Sequence, residues 1–196
     1  PGTQFVYSSF GYNLLGAVIE SVTQQSYLEY MSKEIWGPLK MDLTYGDIAD
    51  STMSSKSKFY YYTGEEALPY DLSYKYPSGG LVSSAEDLVN FGSALMGKKL
   101  IPEPLLSQVF TTQHISGGEP TGYGLGWYIG KDFNDRDVWY HAGELPSTGS
   151  IIMMYPEHEV VIALLANAPI ISDSEDGFSE AMQELGEFIY TRDEWK

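Results

Sequence analysis

The chain has 196 residues, and its 11 lysines and arginines against 27 aspartates and glutamates give a formal net charge of −16. Its hydrophobic content of 43% can supply a folded core, while the negative charge makes contact with nucleic acid or anionic lipid unfavourable. The absence of cysteine excludes disulfides, thiolate nucleophiles and cysteine-based metal sites. The longest strongly apolar run, Val160–Ala166, is far shorter than the roughly 20 residues that span a bilayer, so no membrane span is predicted.

Short helices are predicted in the first third of the chain. Residues 10–22 carry apolar side chains at spacings of three and four, which is typical of a half-buried helix. Ser8 or Ser9 can cap the N-terminus of this helix. Ser26 and Glu29 fit a capping box, which predicts that a second helix starts there.

Residues 42–78 are polar and rich in tyrosine, and they show no sustained hydrophobic period. We interpret them as a long irregular excursion. Ser84 is placed to cap the next helix, which would bury the apolar side chains of residues 88–95. A further short helix is predicted after Pro102.

After Gly122 the pattern changes to short β-branched or aromatic segments separated by turn residues, which predicts an antiparallel meander. Its predicted strands are 123–129, 138–141, Thr148–Tyr155 and Val160–Ala166. An apolar stripe formed by Phe178, Met182, Leu185 and Ile189 predicts a C-terminal helix that covers the sheet. The predicted class is therefore α+β, with a mostly helical lobe at residues 1–121 and an α/β lobe at residues 122–196.

Several common signatures of catalysis and cofactor binding are missing from the sequence. The three histidines lie far apart and no HExxH motif occurs, so no metal site is predicted. The glycine-rich residues 122–126 lack the GxGxxG spacing of a nucleotide loop, and no GxSxG nucleophile elbow is present. We therefore expect no cofactor.

Five segments remain that structural demands alone explain poorly. They are residues 1–12 (PGTQFVYSSFGY), 35–41 (IWGPLKM), 78–88 (SGGLVSSAEDL), 123–127 (YGLGW) and 139–146 (WYHAGELP). Together and in this order they resemble the penicillin-recognising serine hydrolases, in the branch that holds class C β-lactamases, D-alanyl-D-alanine carboxypeptidases and related esterases. The resemblance implies a β-lactamase/transpeptidase-like fold. It also implies a site built from a Ser-x-x-Lys nucleophile, a Tyr-x-Asn element and a Lys-Thr-Gly or His-x-Gly strand.

By matching position, the segment from Tyr7 to Ser9 is similar to the second element, with Ser9 where the family often has asparagine. The segment from His141 to Gly143 is similar to the third element, and the backbone N–H of Glu144 would then be an oxyanion donor. The Glu144 carboxylate would oppose the developing negative charge unless its side chain points outward. The simpler alternatives are that Tyr7 only packs at a helix start and that His141 only binds a neighbouring carbonyl.

The resemblance implies that the Ser-x-x-Lys nucleophile lies before Tyr7, and so outside this chain. One formal Ser-x-x-Lys runs from Ser55 to Lys58, but it follows the tyrosine motif and lies in a polar stretch, so we interpret it as a chance match. Tyr123 and Trp127 are expected to contact substrate, and simple packing is the alternative for Trp127.

Two functions are implied. The first is the C-terminal part of a serine acyl hydrolase that cleaves an ester, amide or β-lactam bond in a small acyl substrate or peptide through an acyl-enzyme. This chain alone would then be inactive and would need an N-terminal partner segment or a second copy. The alternative is a non-catalytic module that binds peptides or proteins on the same fold. Because members of the family are commonly exported, a periplasmic or extracellular location is implied.

Overall fold

Five α-helices, a π-helical segment (Ser32–Trp36), a 3₁₀ turn and two antiparallel sheets are the regular elements of the described part of the chain, which in this computed structural model is residues 2–48, 56–169 and 187. The helices are α1 (Ser9–Thr23), α2 (Tyr27–Met31), α3 (Tyr76–Gly79), α4 (Ala85–Met96) and α5 (Glu103–Val109). The strands are β1 (Tyr45–Gly46), β2 (Leu81–Val82), β3 (Tyr128–Lys131), β4 (Asp137–Leu145), β5 (Thr148–Tyr155) and β6 (Val160–Ala166). The α+β class predicted from the sequence is confirmed.

Local capping interactions start three of the helices where the sequence predicts them. The Ser8 hydroxyl accepts from the backbone N–H of Gly11 at the start of α1. Ser26 and Glu29 form the full capping box of α2, and the Ser84 hydroxyl caps α4. Each cap satisfies backbone donors that the first turn of a helix leaves free.

The excursion predicted for residues 42–78 contains short elements that the sequence analysis missed. Strand β1 pairs with β2, and a 3₁₀ turn over Ser73–Lys75 leads into α3. Elements of two to four residues are too short to produce a recognisable hydrophobic period. The division into lobes at residues 121 and 122 stays a prediction.

The larger sheet has the strand order β3-β4-β5-β6, all antiparallel, as the meander predicts. Its first strand starts later than expected, at Tyr128 and not at residue 123. Gly122 and Gly126 have φ angles of 67° and 92°, so the chain turns here before it can enter the sheet.

Strand β4 is longer than its neighbour β3, and this difference creates the edge on which the site is built. The pairing of β3 with β4 reaches only as far as Tyr128 opposite Tyr140. Residues 141–145 of β4 pair with β5 on their other side. Within the described ranges, the last five residues of β4 therefore have one open backbone edge.

The core lies on both faces of this sheet. One face packs against α4 and α5 through a cluster of buried residues: Leu95, Leu106, Phe110, Trp127, Ile152 and Met154. The opposite face buries Val138, Ile151, Met153, Tyr155 and Ile162. The predicted C-terminal helix over residues 178–189 lies outside the described residues, apart from Glu187.

Helix α1 buries a different face from the one predicted. Its apolar stripe is exposed to solvent, with exposed fractions between 56% and 77% for Phe10, Leu14, Leu15, Val18 and Val22. The buried residue is Gly16, where any Cβ would collide with the Pro77 ring of α3. The periodicity correctly predicted a helix, but the stripe has no described neighbour to pack against. None of the described helices has the length and hydropathy that spanning a membrane requires.

Met154 joins the sheet to the helices, and its side chain is fully buried. We expect Met154→Ala to lower the free energy of unfolding by about 2–5 kcal/mol, because it leaves a cavity between β5 and the helices. Leu68→Ala, at a position 74% exposed, is the control and should change little. Urea unfolding followed by circular dichroism measures both variants, and equal stabilities would contradict this description of the core.

Candidate active site

Tyr7 and His141 lie side by side, although 134 positions separate them in the sequence. The phenol Oη of Tyr7 and the imidazole Nε2 of His141 are 3.4 Å apart, which is a long hydrogen bond. The centroids of the two rings are 6.2 Å apart. The structure therefore brings together the tyrosine and histidine motifs that the sequence analysis singled out.

Secondary structure holds each of these side chains in place. Tyr7 immediately precedes Ser8, the N-cap residue of α1, so the capped helix fixes the direction of the chain at Tyr7. His141 is the first residue of β4 beyond the end of β3. The imidazole therefore lies where the sheet edge opens, and Tyr7, at 45% exposure, remains accessible from solvent.

Aromatic rings surround the pair. Tyr123 is 6% exposed and contacts the rings of both Tyr7 and His141, with centroids 6.0 and 6.3 Å away. Tyr128 stacks on the imidazole at 6.0 Å. Behind them the hydroxyls of Tyr12 and Tyr123 are 3.1 Å apart. Phenol rings therefore surround the pair. The region between these rings and the open edge of β4 is called the cleft below.

These surroundings shift the pKa values of both central groups. Burial, together with the nearby Tyr128 and Tyr12, raises the pKa of Tyr7, and only the Ser9 hydroxyl opposes this by hydrogen bonding. Burial also lowers the pKa of His141. At neutral pH the pair therefore consists of a protonated phenol and a neutral imidazole.

Gly143 lies on the same side of β4 as His141, because side chains alternate along a strand. It is exposed, and its cross-strand partner is Ser150 of β5. Glu144 is exposed and belongs to the opposite face by the same alternation, which directs its carboxylate away from the imidazole. Ala142, expected from its position to pack inward, is exposed as well.

The other predicted site residues are placed as follows. Ser9 is exposed at the first position of α1, next to Tyr7. Trp127 is 8% exposed and packs against Phe110 in the core, so the structure does not bring it to the cleft as we expected. The turn at Gly126 rotates the chain before β3 and directs Trp127 inward.

Three residues of the site were missed: Tyr12, Tyr128 and Ser150. Tyr12 lies near the start of α1, shortly after Tyr7, so a second tyrosine of the site could have been predicted there. Tyr128 and Ser150 are placed by strand register, opposite Tyr140 and Gly143, and register is not visible in a sequence. Of the formal Ser-x-x-Lys, Ser55 lies outside the described residues, and the Lys58 ammonium is paired with Glu66 at 2.6 Å.

Comparison with known proteins places the chain in a family. A sequence model described as "Beta-lactamase" matches residues 1–181. The chain belongs to the beta-lactamase family of β-lactamase-like serine hydrolases, and its fold is β-lactamase/transpeptidase-like, as the resemblance implied.

Individual relatives agree with this assignment. The mitochondrial serine beta-lactamase-like protein LACTB of Mus musculus is 28% identical over 186 residues, which cover 80% of this chain and 34% of that protein. The D-stereospecific amidohydrolase from Streptomyces sp. is 29% identical with a TM-score of 0.75, covering 86% of this chain and 52% of that one. The octameric penicillin-binding protein homologue from Pyrococcus abyssi is 27% identical with a TM-score of 0.75, covering 97% and 44% respectively. The chain spans about a third of the length of the curated relatives it matches.

Gly143 is expected to tolerate no side chain while Ser150 keeps its hydroxyl. A Cβ at residue 143 would lie 2.8 Å from Ser150 Oγ, so Gly143→Ala should cost about 1–3 kcal/mol of stability by overpacking. Because the φ of Gly143 is not in the left-handed region, backbone strain adds nothing. Ser150→Ala should recover most of the loss in the double variant. A double-mutant cycle from urea unfolding measures the coupling, and additive effects would show that the two residues do not touch.

Burial of neutral His141 predicts a specific pH dependence of stability. Its folded pKa is below the ordinary value of about 6.5, so under more acidic conditions the unfolded chain binds a proton that the native state resists. This contribution is fully present above pH ~6.5 and is lost as the pH falls towards the folded pKa. The unfolding free energy should therefore fall less between pH 7.5 and 5 in His141→Gln than in the unmodified protein. His158→Gln, in the exposed β5–β6 turn, is the matched control, and a steeper fall in His141→Gln would contradict the prediction.

Proposed function

We propose that this chain is the C-terminal part of a serine acyl hydrolase that cleaves an ester, amide or β-lactam bond through an acyl-enzyme. The observation that carries the proposal is the 3.4 Å approach of Tyr7 Oη to His141 Nε2 at the open edge of β4. A proton-transfer group and a strand edge able to hold a substrate backbone then share one cleft. Membership of the β-lactamase-like family supports the same reaction class.

Tyr7 cannot act as a base alone. Burial and neighbouring phenols raise its pKa, so it holds its proton at neutral pH. A lysine ammonium beside it would favour the phenolate or exchange a proton with it. The Ser-x-x-Lys element that the family resemblance implies would supply both this lysine and the nucleophile.

We propose that the segment carrying this element packs on the exposed apolar stripe of α1. The stripe comprises Phe10, Leu14, Leu15, Val18 and Val22, and it starts three residues after Tyr7. A contiguous row of exposed apolar side chains is typical of a surface that another segment covers. Whatever packs on this stripe is therefore also adjacent to the phenol. The relatives' greater length is consistent with an N-terminal segment in this role, and a second copy of the chain is the competing occupant.

The proposed reaction follows from these positions. The serine oxygen attacks the acyl carbonyl while its proton passes to the pair formed by Tyr7 and lysine. The backbone N–H of Glu144 and that of the serine would stabilise the oxyanion. The leaving group takes up the proton as the acyl-enzyme forms, and water then releases the acyl group by the same steps.

Acylation assays on this chain and on the polypeptide as encoded test the proposal. This chain alone should form no covalent adduct with a 4-nitrophenyl ester or a fluorescent penicillin, since it lacks the proposed nucleophile. The polypeptide as encoded, including what precedes Pro1, should be acylated. Within that polypeptide, Tyr7→Phe should lower the acylation rate by about 10²–10⁴-fold, because proton transfer is lost.

Tyr62→Phe is the matched control, since Tyr62 is 76% exposed, and it should acylate at the unmodified rate. Acylation by neither the chain nor the encoded polypeptide would contradict the proposal and would favour the non-catalytic binding module. Unchanged acylation in Tyr7→Phe would remove Tyr7 from the reaction.

A further inference from the structure

Tyr123 lies at the centre of the aromatic rings in the site. Its ring contacts four others, with centroids between 4.8 and 6.3 Å away: Phe5, Tyr7, Tyr128 and His141. Because it is only 6% exposed, these contacts within the protein already occupy most of its surface. Tyr123 therefore has little surface left for a substrate, although we expected it to contact one.

A hydrogen bond ties the ring of Tyr123 to the first helix. The hydroxyls of Tyr123 and Tyr12 are 3.1 Å apart, and Tyr12 belongs to the first turn of α1. A phenol as buried as Tyr123 needs such a partner, because an unsatisfied polar group in the interior is costly. Since α1 starts two residues after Tyr7, the hydroxyl pair connects Tyr123 to the helix that also fixes the chain at Tyr7.

The backbone of Tyr123 is held separately from its hydroxyl. Its carbonyl accepts a hydrogen bond of 2.8 Å from the Gln113 N–H, and its own N–H donates to the Thr121 hydroxyl at 3.2 Å. It also forms an antiparallel bridge with Tyr128, the first residue of β3. The Tyr123 ring is thus fixed at both ends, by its backbone beside the sheet and by its hydroxyl on α1.

The segment that carries Tyr7 packs on this ring. Phe5 and Tyr7 both contact Tyr123, and the Tyr7 ring meets it edge-on, with an interplanar angle of 83°. By contrast, Tyr7 is 45% exposed, and its hydrogen bond to His141 is long at 3.4 Å. The orientation of the Tyr7 ring therefore depends on its contact with Tyr123.

We propose that Tyr123 is a positioning residue, braced by the Tyr12 hydroxyl, that holds the Tyr7 phenol beside His141 for proton transfer. Burial and the hydrogen bond with Tyr12 raise the pKa of Tyr123, so it keeps its proton at neutral pH and is not a second base. Displacement of a reacting group by about 1 Å can lower a rate by about 10²-fold, so such a brace matters for turnover. This inference rests on the proposed acyl hydrolase function and adds to it the residues that orient Tyr7.

Acylation kinetics of the polypeptide as encoded, with a 4-nitrophenyl ester, test the inference. Tyr123→Leu removes the ring and should lower the acylation rate constant at saturating ester by about 10–100-fold, with the half-saturating concentration within about twofold, because Tyr7 loses its orientation. Tyr123→Phe and Tyr12→Phe break the same hydrogen bond, so each should lower the rate constant by a similar factor of about three to ten. The double variant should be no slower than the slower single variant.

Tyr61→Phe is the matched control. The hydroxyls of Tyr61 and Tyr70 form a pair of the same kind, 2.8 Å apart, in the excursion at residues 42–78. Removal of one of these hydroxyls should leave acylation at the unmodified rate, because neither residue braces Tyr7.

Removal of the Tyr7 hydroxyl separates positioning from direct action on the substrate. In a Tyr7→Phe background, Tyr123→Leu should lower the residual acylation rate by less than about twofold, since it acts only through the missing hydroxyl. A full loss in that background, or a weaker half-saturation without a fall in the rate constant, would overturn the inference and make Tyr123 a substrate contact.

Crystal structures of the variants keep the inference testable if no acylation occurs, an outcome that would contradict the proposed function instead. In Tyr123→Leu the distance from Tyr7 Oη to His141 Nε2 should exceed about 4 Å, or Tyr7 should adopt a second conformer, whereas Tyr61→Phe should keep the hydrogen bond. Tyr12→Phe, which removes one half-buried hydroxyl and keeps the ring, replaces Tyr123→Leu in both measurements if that variant does not fold. An unmoved Tyr7 would refute the brace whether or not the protein hydrolyses esters.

Discussion

The contact between the Tyr7 phenol and the His141 imidazole is the interaction on which the interpretation of this molecule depends. It joins Tyr7, which precedes the N-cap residue of α1, to strand β4 of the larger sheet, and further phenols contact the two rings. In such surroundings neutral forms are favoured over charged ones. The described residues thus place a protonated phenol beside a neutral imidazole, and proton transfer between this pair and a substrate remains part of the proposed function.

The geometry of the sheet makes this contact useful. Because β3 begins only at Tyr128, which pairs with Tyr140, the end of β4 has an open edge that begins at His141. Gly143 has no side chain, and the Ser150 hydroxyl lies close to where a Cβ at residue 143 would be. Strand β5 packs against α4 and α5 in the core. Because β4 pairs with β5, this packing also fixes the position of the open edge of β4 relative to these helices. Stability and site geometry thus depend on the same strands.

Local features were predictable from the sequence, and long-range ones were not. The caps at Ser8, Ser26 and Ser84 depend on residues three or fewer positions away; Ser26 and Ser84 were predicted correctly, and Ser8 was one of the two residues predicted to cap α1. The turn residues bounding β5 and β6 likewise predicted both strands in full.

The buried face of α1 was predicted wrongly, because periodicity shows that a stripe exists and not whether a neighbour covers it. Trp127 was expected to contact substrate, with simple packing as the alternative, and its burial against Phe110 agrees with the packing alternative. The proximity of Tyr7 and His141 followed from family resemblance, and composition or spacing alone could not have predicted it. The aromatic wall and Ser150 required the strand register.

Peptide mapping of the acylated protein tests the central claim most directly. The polypeptide as encoded would be incubated with a 4-nitrophenyl ester, digested and analysed by mass spectrometry to locate the acyl group. We predict a single acylated serine, in a Ser-x-x-Lys sequence that precedes Pro1. An acyl group on Ser55, on a serine beside Tyr7, or on no serine at all would contradict it.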